Sequence, residues 1–144
     1  ATVAWNAFHR WVDTARKLVT QQWGKGFYVD MHAHGHTVQQ LELGYLTTAS
    51  QLRLSDSALQ AGPYKDSCSI KTLANANASG QNYVQLLRGP DALGTLMAAR
   101  GFPSVPSQQK PAPPVGEDYF NGGYNTYYHT SRLGGTVDGV QIET

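Results

Sequence analysis

The chain has 144 residues, and 11 Lys and Arg stand against 10 Asp and Glu, leaving a net charge of only +1. That balance gives no electrostatic reason to expect nucleic acid or an anionic membrane, since both call for clustered positive charge. Hydrophobic residues at 40% and charged residues at 15% exclude a disordered composition, and the single cysteine, Cys68, excludes a disulfide framework or a cysteine-based zinc finger.

In chain order, residues 2–22 form the clearest helix. Trp5, Phe8, Val12, Ala15 and Val19 recur at three- and four-residue steps, with Trp11 and Leu18 widening the stripe. Gly24 and Gly26 end it, and Phe27–His32 follows as a short strand rich in β-formers, expected in the interior of a sheet. Helix, glycine turn and apolar strand is the rhythm of an α/β protein.

Residues 37–46 are semi-polar and fit neither period well. Three shorter helices are expected at Ser55–Gln60, Ser69–Ala76 and Asp91–Arg100, the first opening on good N-cap chemistry and the last ending before Gly101. Five of the seven prolines fall in 102–118, which therefore reads as a loop. Gly122 to Gly135 reads as a second loop, rich in aromatics and glycine. Val137–Glu143 is a strand expected in the same sheet as 27–32. No apolar run approaches the ~18–20 residues that span a bilayer. Without Met, basic n-region or apolar h-region at Ala1, and with a core strand at the other end, the expectation is one domain or part of one. A leader removed or a piece of something longer would explain both ends.

The densest chemical feature is Asp30-Met31-His32-Ala33-His34-Gly35-His36. Residues two apart in extended backbone share a face, so His32, His34 and His36 can point one way, and neutral imidazole is the commonest metal ligand. The plainer reading is one functional histidine with loop hydrogen-bonders beside it, because Gly35 breaks the extended geometry. Asp30 is read as pointing to the face opposite His32, and no partnership is assigned to it. Glu143 ends a strand where open α/β sheets place their sites, against the plainer reading of an exposed terminal glutamate. Tyr124, His129 and Arg132 lie in the aromatic loop, and Arg132 or Arg88 offers a planar fork for a substrate carboxylate. A surface aromatic loop is the alternative. Cys68 reads as a buried structural thiol. Asn77-Ala78-Ser79 matches the N-glycosylation pattern.

Two segments together resemble the N-formylglutamate amidohydrolase family. Tyr28-Val29-Asp30-Met31-His32-Ala33-His34-Gly35-His36 is similar to its strand-end histidine motif. Phe120-Asn121-Gly122-Gly123-Tyr124-Asn125-Thr126, followed by Gly134 to Glu143, is similar to its glycine-glycine-tyrosine loop and terminal glutamate strand. Leu87-Arg88-Gly89-Pro90 and Leu93-Gly94-Thr95-Leu96 resemble secreted relatives, which implies an extracellular rather than a cytoplasmic location.

The resemblance implies a zinc carboxypeptidase-like fold, a mixed sheet flanked by helices, and a zinc-dependent hydrolase of C–N amide bonds. It implies His32 as the later metal ligand, with His34 and His36 as other possibilities, and Glu143 as general base. Zinc would polarise the scissile carbonyl and lower the pKa of its water toward ~7, while Glu143 passes the proton to the leaving nitrogen. Substrates would be small N-acyl amino acids or peptide-like amides, held by Tyr124, His129, Arg132 or Arg88. The family's His-x-x-Glu pair is missing: His9, His32, His34, His36 and His129 are followed three positions on by Val12, Gly35, Thr37, Gln39 and Arg132. The chain therefore resembles only the C-terminal half of such a domain, an incomplete one, with a second chain as one source of the rest. A non-catalytic binding or structural protein that keeps the fold is the alternative, and a small metal-binding protein using the histidine cluster is a third reading.

Overall fold

The computed structural model describes residues 1–76 and 80–144, so the Asn77 sequon lies outside the described residues. The elements in order are α1 (Thr2–Trp23), β1 (Gly26–His32), β2 (Leu41–Gly44), α2 (Ala49–Leu52), α3 (Asp56–Ala61), α4 (Lys71–Ala76), α5 (Tyr83–Arg88), α6 (Leu93–Ala98), β3 (Ser104–Val105), α7 (Tyr124–His129) and β4 (Val137–Glu143), with short 3-10 turns at Pro63–Ser67 and Ser131–Leu133. No described helix is long and apolar enough to cross a membrane.

The helix α1 ends where its periodicity ends. Gly24 adopts φ +73 and donates its N–H to the Thr20 carbonyl, a left-handed cap that glycine enters without a Cβ penalty. The apolar stripe does not bury the helix, however, and no residue of α1 is fully covered. It rests on the start of β1 and β4 through Val12 and Val19, which are half-buried, against Tyr28 and Val137.

The protein is α/β, with one four-stranded mixed sheet in the order β1-β4-β2-β3. β1 runs parallel to β4, β4 antiparallel to β2, and β2 parallel to β3. Two registers matter most. His32 pairs with Glu143, and Glu143 pairs with Glu42, so three chemistry-bearing residues stand in one row across the carboxyl end of β1 and β4. Met31, Ile142 and Leu43 form the next row and point to the other face.

That second face carries the core. Leu43, Val140 and Ile142 pack with Leu52, Leu59, Ile70, Tyr83 and Leu87 from the short helices and the turn before α4. Helix α7 lies on the first face, where Asn125 reaches Asp30 and Thr126 reaches Gln141. The strand expected in the interior is instead at an edge. β1 is an end strand of the sheet, and Phe27, Val29 and Met31 are 49%, 47% and 61% exposed. Its composition is that of a buried strand, but among the described residues only β4 pairs with it, and the helices of the second face gather over β2 and β4.

The glycine-rich stretch from Gly122 to Gly135 is also not simply a loop, since α7 and a 3-10 turn occupy most of it. Here tertiary contact overrides weak propensity. The stretch can lie flat on the sheet because Gly44 has no side chain: a Cβ there would stand 2.5 Å from the Gly122 nitrogen and 2.7 Å from the Asn121 carbonyl carbon.

Candidate functional site

The site is built on the first face of the sheet, where β1, β4 and β2 present alternate residues. Glu143 is almost fully buried, not the exposed terminal glutamate of the plainer reading, because β4 is flanked by strands on both sides and roofed by the segment leading into α7. Its Oε1 accepts a hydrogen bond from the Gln141 side-chain amide. That amide has little freedom, since its Oε1 accepts the Gly123 N–H at 2.6 Å and therefore turns its NH2 toward Glu143.

His32 stands beside this pair with its side chain 45% exposed. Its Nδ1 lies 3.9 Å from Glu143 Oε1, and its Nε2 lies 3.1 Å from Asp30 Oδ2. The reading that set Asp30 on the opposite face is thus corrected: residues 30 and 32 are two apart, and a period of two puts them on the same side. Asp30 is buried, its Oδ1 accepts from the Asn125 amide at 3.3 Å, and its Oδ2 has no hydrogen bond of good angle. Burial, with the Asp30 carboxylate adding to it, pushes the neighbouring Tyr28 phenol up to about 12. A carboxylate on one imidazole nitrogen, leaving the other facing the site, is the arrangement that orients metal-binding histidines.

His34 and His36 form a separate group with Glu42. The carbonyl of Gln40 can only accept, so His34 Nε2 donates to it at 2.9 Å, and His34 Nδ1 accepts the His36 backbone N–H at 3.1 Å. Both ring nitrogens are therefore engaged. His36 Nδ1 meets Glu42 Oε1 at 2.8 Å, and Glu42 Oε2 accepts the Phe120 N–H at 2.7 Å, while the Phe120 ring stacks on His36 at 4.6 Å. One donor atom from each of His34, His36 and Glu42 falls within 4.8 Å of the others, compact enough for a cation. Closing on one would cost hydrogen bonds that already satisfy His34 and fully buried Glu42.

The hydrogen bond that the His36 ring donates to Glu42 raises the His36 pKa above its ordinary 6.5, against the opposing effect of burial. Any stability this gives is present below the unfolded value and lost as pH rises through the higher folded one. NMR titration of His36 should therefore show a midpoint above 6.5 that drops in Glu42→Gln. A native midpoint at or below 6.5 would dismiss the Glu42–His36 pairing.

The remaining sequence candidates are dispersed. Tyr124, 47% exposed, packs edge-on to Trp5 at 4.8 Å and against His9 at 4.9 Å. His129 is buried between Asp13 and His9. Arg132 places its guanidinium 4.8 Å from the Tyr127 ring centre. Arg88 is buried and directs its guanidinium to Asp56 and to the carbonyls of Leu52, Leu54 and Pro111, none of them on β1 or β4. Cys68 is a buried thiol donating to the Lys65 carbonyl, and burial pushes it up to about 12, as a structural cysteine requires.

Sequence reasoning missed Asp30, Glu42, Gln141 and His9. Strand parity applied to Asp30-Met31-His32 would have found the first. Strand parity puts Gln141 on the face of Glu143, yet its role depends on a backbone N–H from a distant loop. Neither Glu42 nor His9 has a local signal. Comparison with protein-family models, with curated proteins and with solved structures finds no match to this chain.

Proposed function

We propose that the chain supplies the His32–Glu143 side of a zinc-dependent hydrolase of C–N amide bonds, similar to the N-formylglutamate amidohydrolases. The observation that carries this reading is the pairing of His32 with Glu143 across β1 and β4, with Nδ1 3.9 Å from the carboxylate. The donor chemistry fits one zinc ligand: Asp30 Oδ2 stands 3.1 Å from Nε2 of His32, and Nδ1 is left toward the site. Catalytic zinc takes about three protein ligands, and in this reading the others come from a His-x-x-Glu outside the chain, on a second chain or a preceding segment. The zinc carboxypeptidase-like fold and an extracellular location belong to the same proposal.

The chain's own residues have defined tasks. Asp30 places its charge beside the His32 ring, and Gln141 fixes Glu143, which holds and transfers the proton at its carboxylate. Zinc bound at His32 would supply Lewis-acid polarisation of a scissile carbonyl. Substrates would be small N-acyl amino acids or peptide-like amides. Arg88 is not carried into substrate recognition, because its donors are consumed within the fold. A second reading, a binding protein that has kept the fold, is favoured by the hydrogen bond that Glu143 Oε1 already receives from Gln141.

The test is zinc retention and hydrolysis of N-formylglutamate by the complete protein that contains this chain. His32→Ala should lose most of the zinc and His36→Ala little. The reverse order removes the metal assignment, and full zinc occupancy without hydrolysis of any N-acyl amino acid favours the binding protein.

A further inference from the structure

We propose that the row Asp13–His129–His9 is an acid-released latch that holds α1 against α7 and the sheet. The row is continuous. Asp13 Oδ1 lies 3.1 Å from His129 Nδ1, and His129 Nε2 lies 2.6 Å from His9 Nδ1. The two imidazoles lie nearly coplanar and edge to edge, with centres 4.9 Å apart and planes 22° from parallel. Because a carboxylate only accepts, His129 carries its proton on Nδ1, and its Nε2 must accept from His9 Nδ1. That fixes both tautomers and leaves His9 Nε2 as a bare lone pair, buried and without a partner.

This arrangement tolerates at most one added proton. A proton on both rings would set two N–H groups against each other across 2.6 Å, and the bond between the helices would be lost. Released and solvated, the two rings would both be protonated below the ordinary histidine value of about 6.5. The released form therefore binds more protons, and docking weakens as pH falls. Burial lowers the His129 pKa, against the raising pull of Asp13, which points the same way.

The charged and titratable groups around the row do not cancel the effect. From α1, Arg16 bonds Asp13 at 3.2 Å and adds positive charge. From α7 comes Tyr124 and from β1 Tyr28, whose ring centre is 6.3 Å from that of His129, with Asp30 behind it. Gly135, Thr136 and Val137, alongside α1, carry no titratable group.

Little else holds the helix, since none of its residues is fully buried. The consequence reaches the site, because α7 also supplies Asn125 to Asp30 and Thr126 to Gln141.

The experiment is hydrogen exchange of the α1 amides from pH 7 to pH 5, corrected for intrinsic exchange. It is paired with the emission of Trp5 in a Trp11→Phe/Trp23→Phe background. All three tryptophans lie on α1, and Trp5 packs 4.2 Å from His9 and 4.8 Å from Tyr124 of α7, so the remaining emission reports on the contact between the two helices. Protection of α1 should fall about tenfold per pH unit below 6.5, ahead of any loss in β4. Constant protection, or a loss shared equally by β4, overturns the proposal. His9→Phe/His129→Gln should abolish the pH dependence, and its survival there also overturns it. Should that variant fail to fold, Asp13→Asn at a half-exposed position keeps the test open. It removes the carboxylate that shelters a proton on His129, so release should begin at higher pH. An unchanged or lower release pH is the contrary result.

Discussion

On the zinc-hydrolase reading proposed above, Glu143→Gln is expected to retain the metal and lose about 10²–10⁴-fold in turnover, the usual contribution of a general base. The substitution is nearly isosteric. The replacement keeps an oxygen for the Gln141 amide, so the local fold should survive, and what disappears is the capacity to take a proton. His32 is 3.9 Å from the lost charge and keeps its contact to Asp30, so zinc retention and turnover should separate cleanly. Unchanged turnover removes the catalytic role from Glu143. Loss of zinc together with turnover makes the residue a ligand or a structural support instead.

The second large effect is on stability and lies away from the site. Arg88→Ala is expected to destabilise the fold by about 3 kcal/mol, since it strands the carbonyls of Leu52 and Leu54 and removes the partner of Asp56. Most of this should come from the carbonyls, because the Asp56 side chain is 76% exposed and its ion pair is screened. For a chain of this size the melting temperature should fall by roughly 10 °C. Arg88→Lys should recover only part of the loss, because an ammonium cannot reproduce the planar fork that meets Asp56 and the carbonyls of Leu52, Leu54 and Pro111. Urea unfolding within about 0.5 kcal/mol of the native chain, the usual range of a surface substitution, would mean that the network adds no stability and would leave Arg88 open to the carboxylate-binding role read from the sequence.

The long elements were legible in the sequence because each carries its own signal. The three- and four-residue spacing of α1, the β-rich Phe27–His32 and the alternation in Val137–Glu143 all reappear, and the last two share one sheet. The Ser55 cap also holds, accepting the Ala58 N–H. Short elements escaped notice for two different reasons. Helices α2 and α5 do announce themselves, through capping boxes at Thr48/Gln51 and Asn82/Gln85, and those signals were overlooked. Helix α7 has no such cap and is held by contacts to distant strands, which no local pattern encodes. Strand β2 looked ambiguous because it buries a glutamate. Glu42 is tolerable there only because His36 and the Phe120 N–H meet it, and those partners are six and 78 residues away. The edge position of β1 depends on which strands pair, so its apolar composition misled.

The row His32–Glu143–Glu42 has a consequence for how the gene can change. On β4, Gln141 and Glu143 face the site while Val140 and Ile142 face the core, so one inserted or deleted residue would exchange the two sets. An insertion would put Ile142 in the place of Glu143 and Gln141 in the apolar layer, whereas a deletion would put the Glu143 carboxylate into that layer without a partner, at a cost of several kcal/mol. A length change within 137–143 thus disturbs the apolar layer and the His32–Glu143–Glu42 row together. In the proline-rich stretch between Val105 and Tyr119, where no strand sets a register, residues can be gained or lost at the exposed turns around Val115 without touching either.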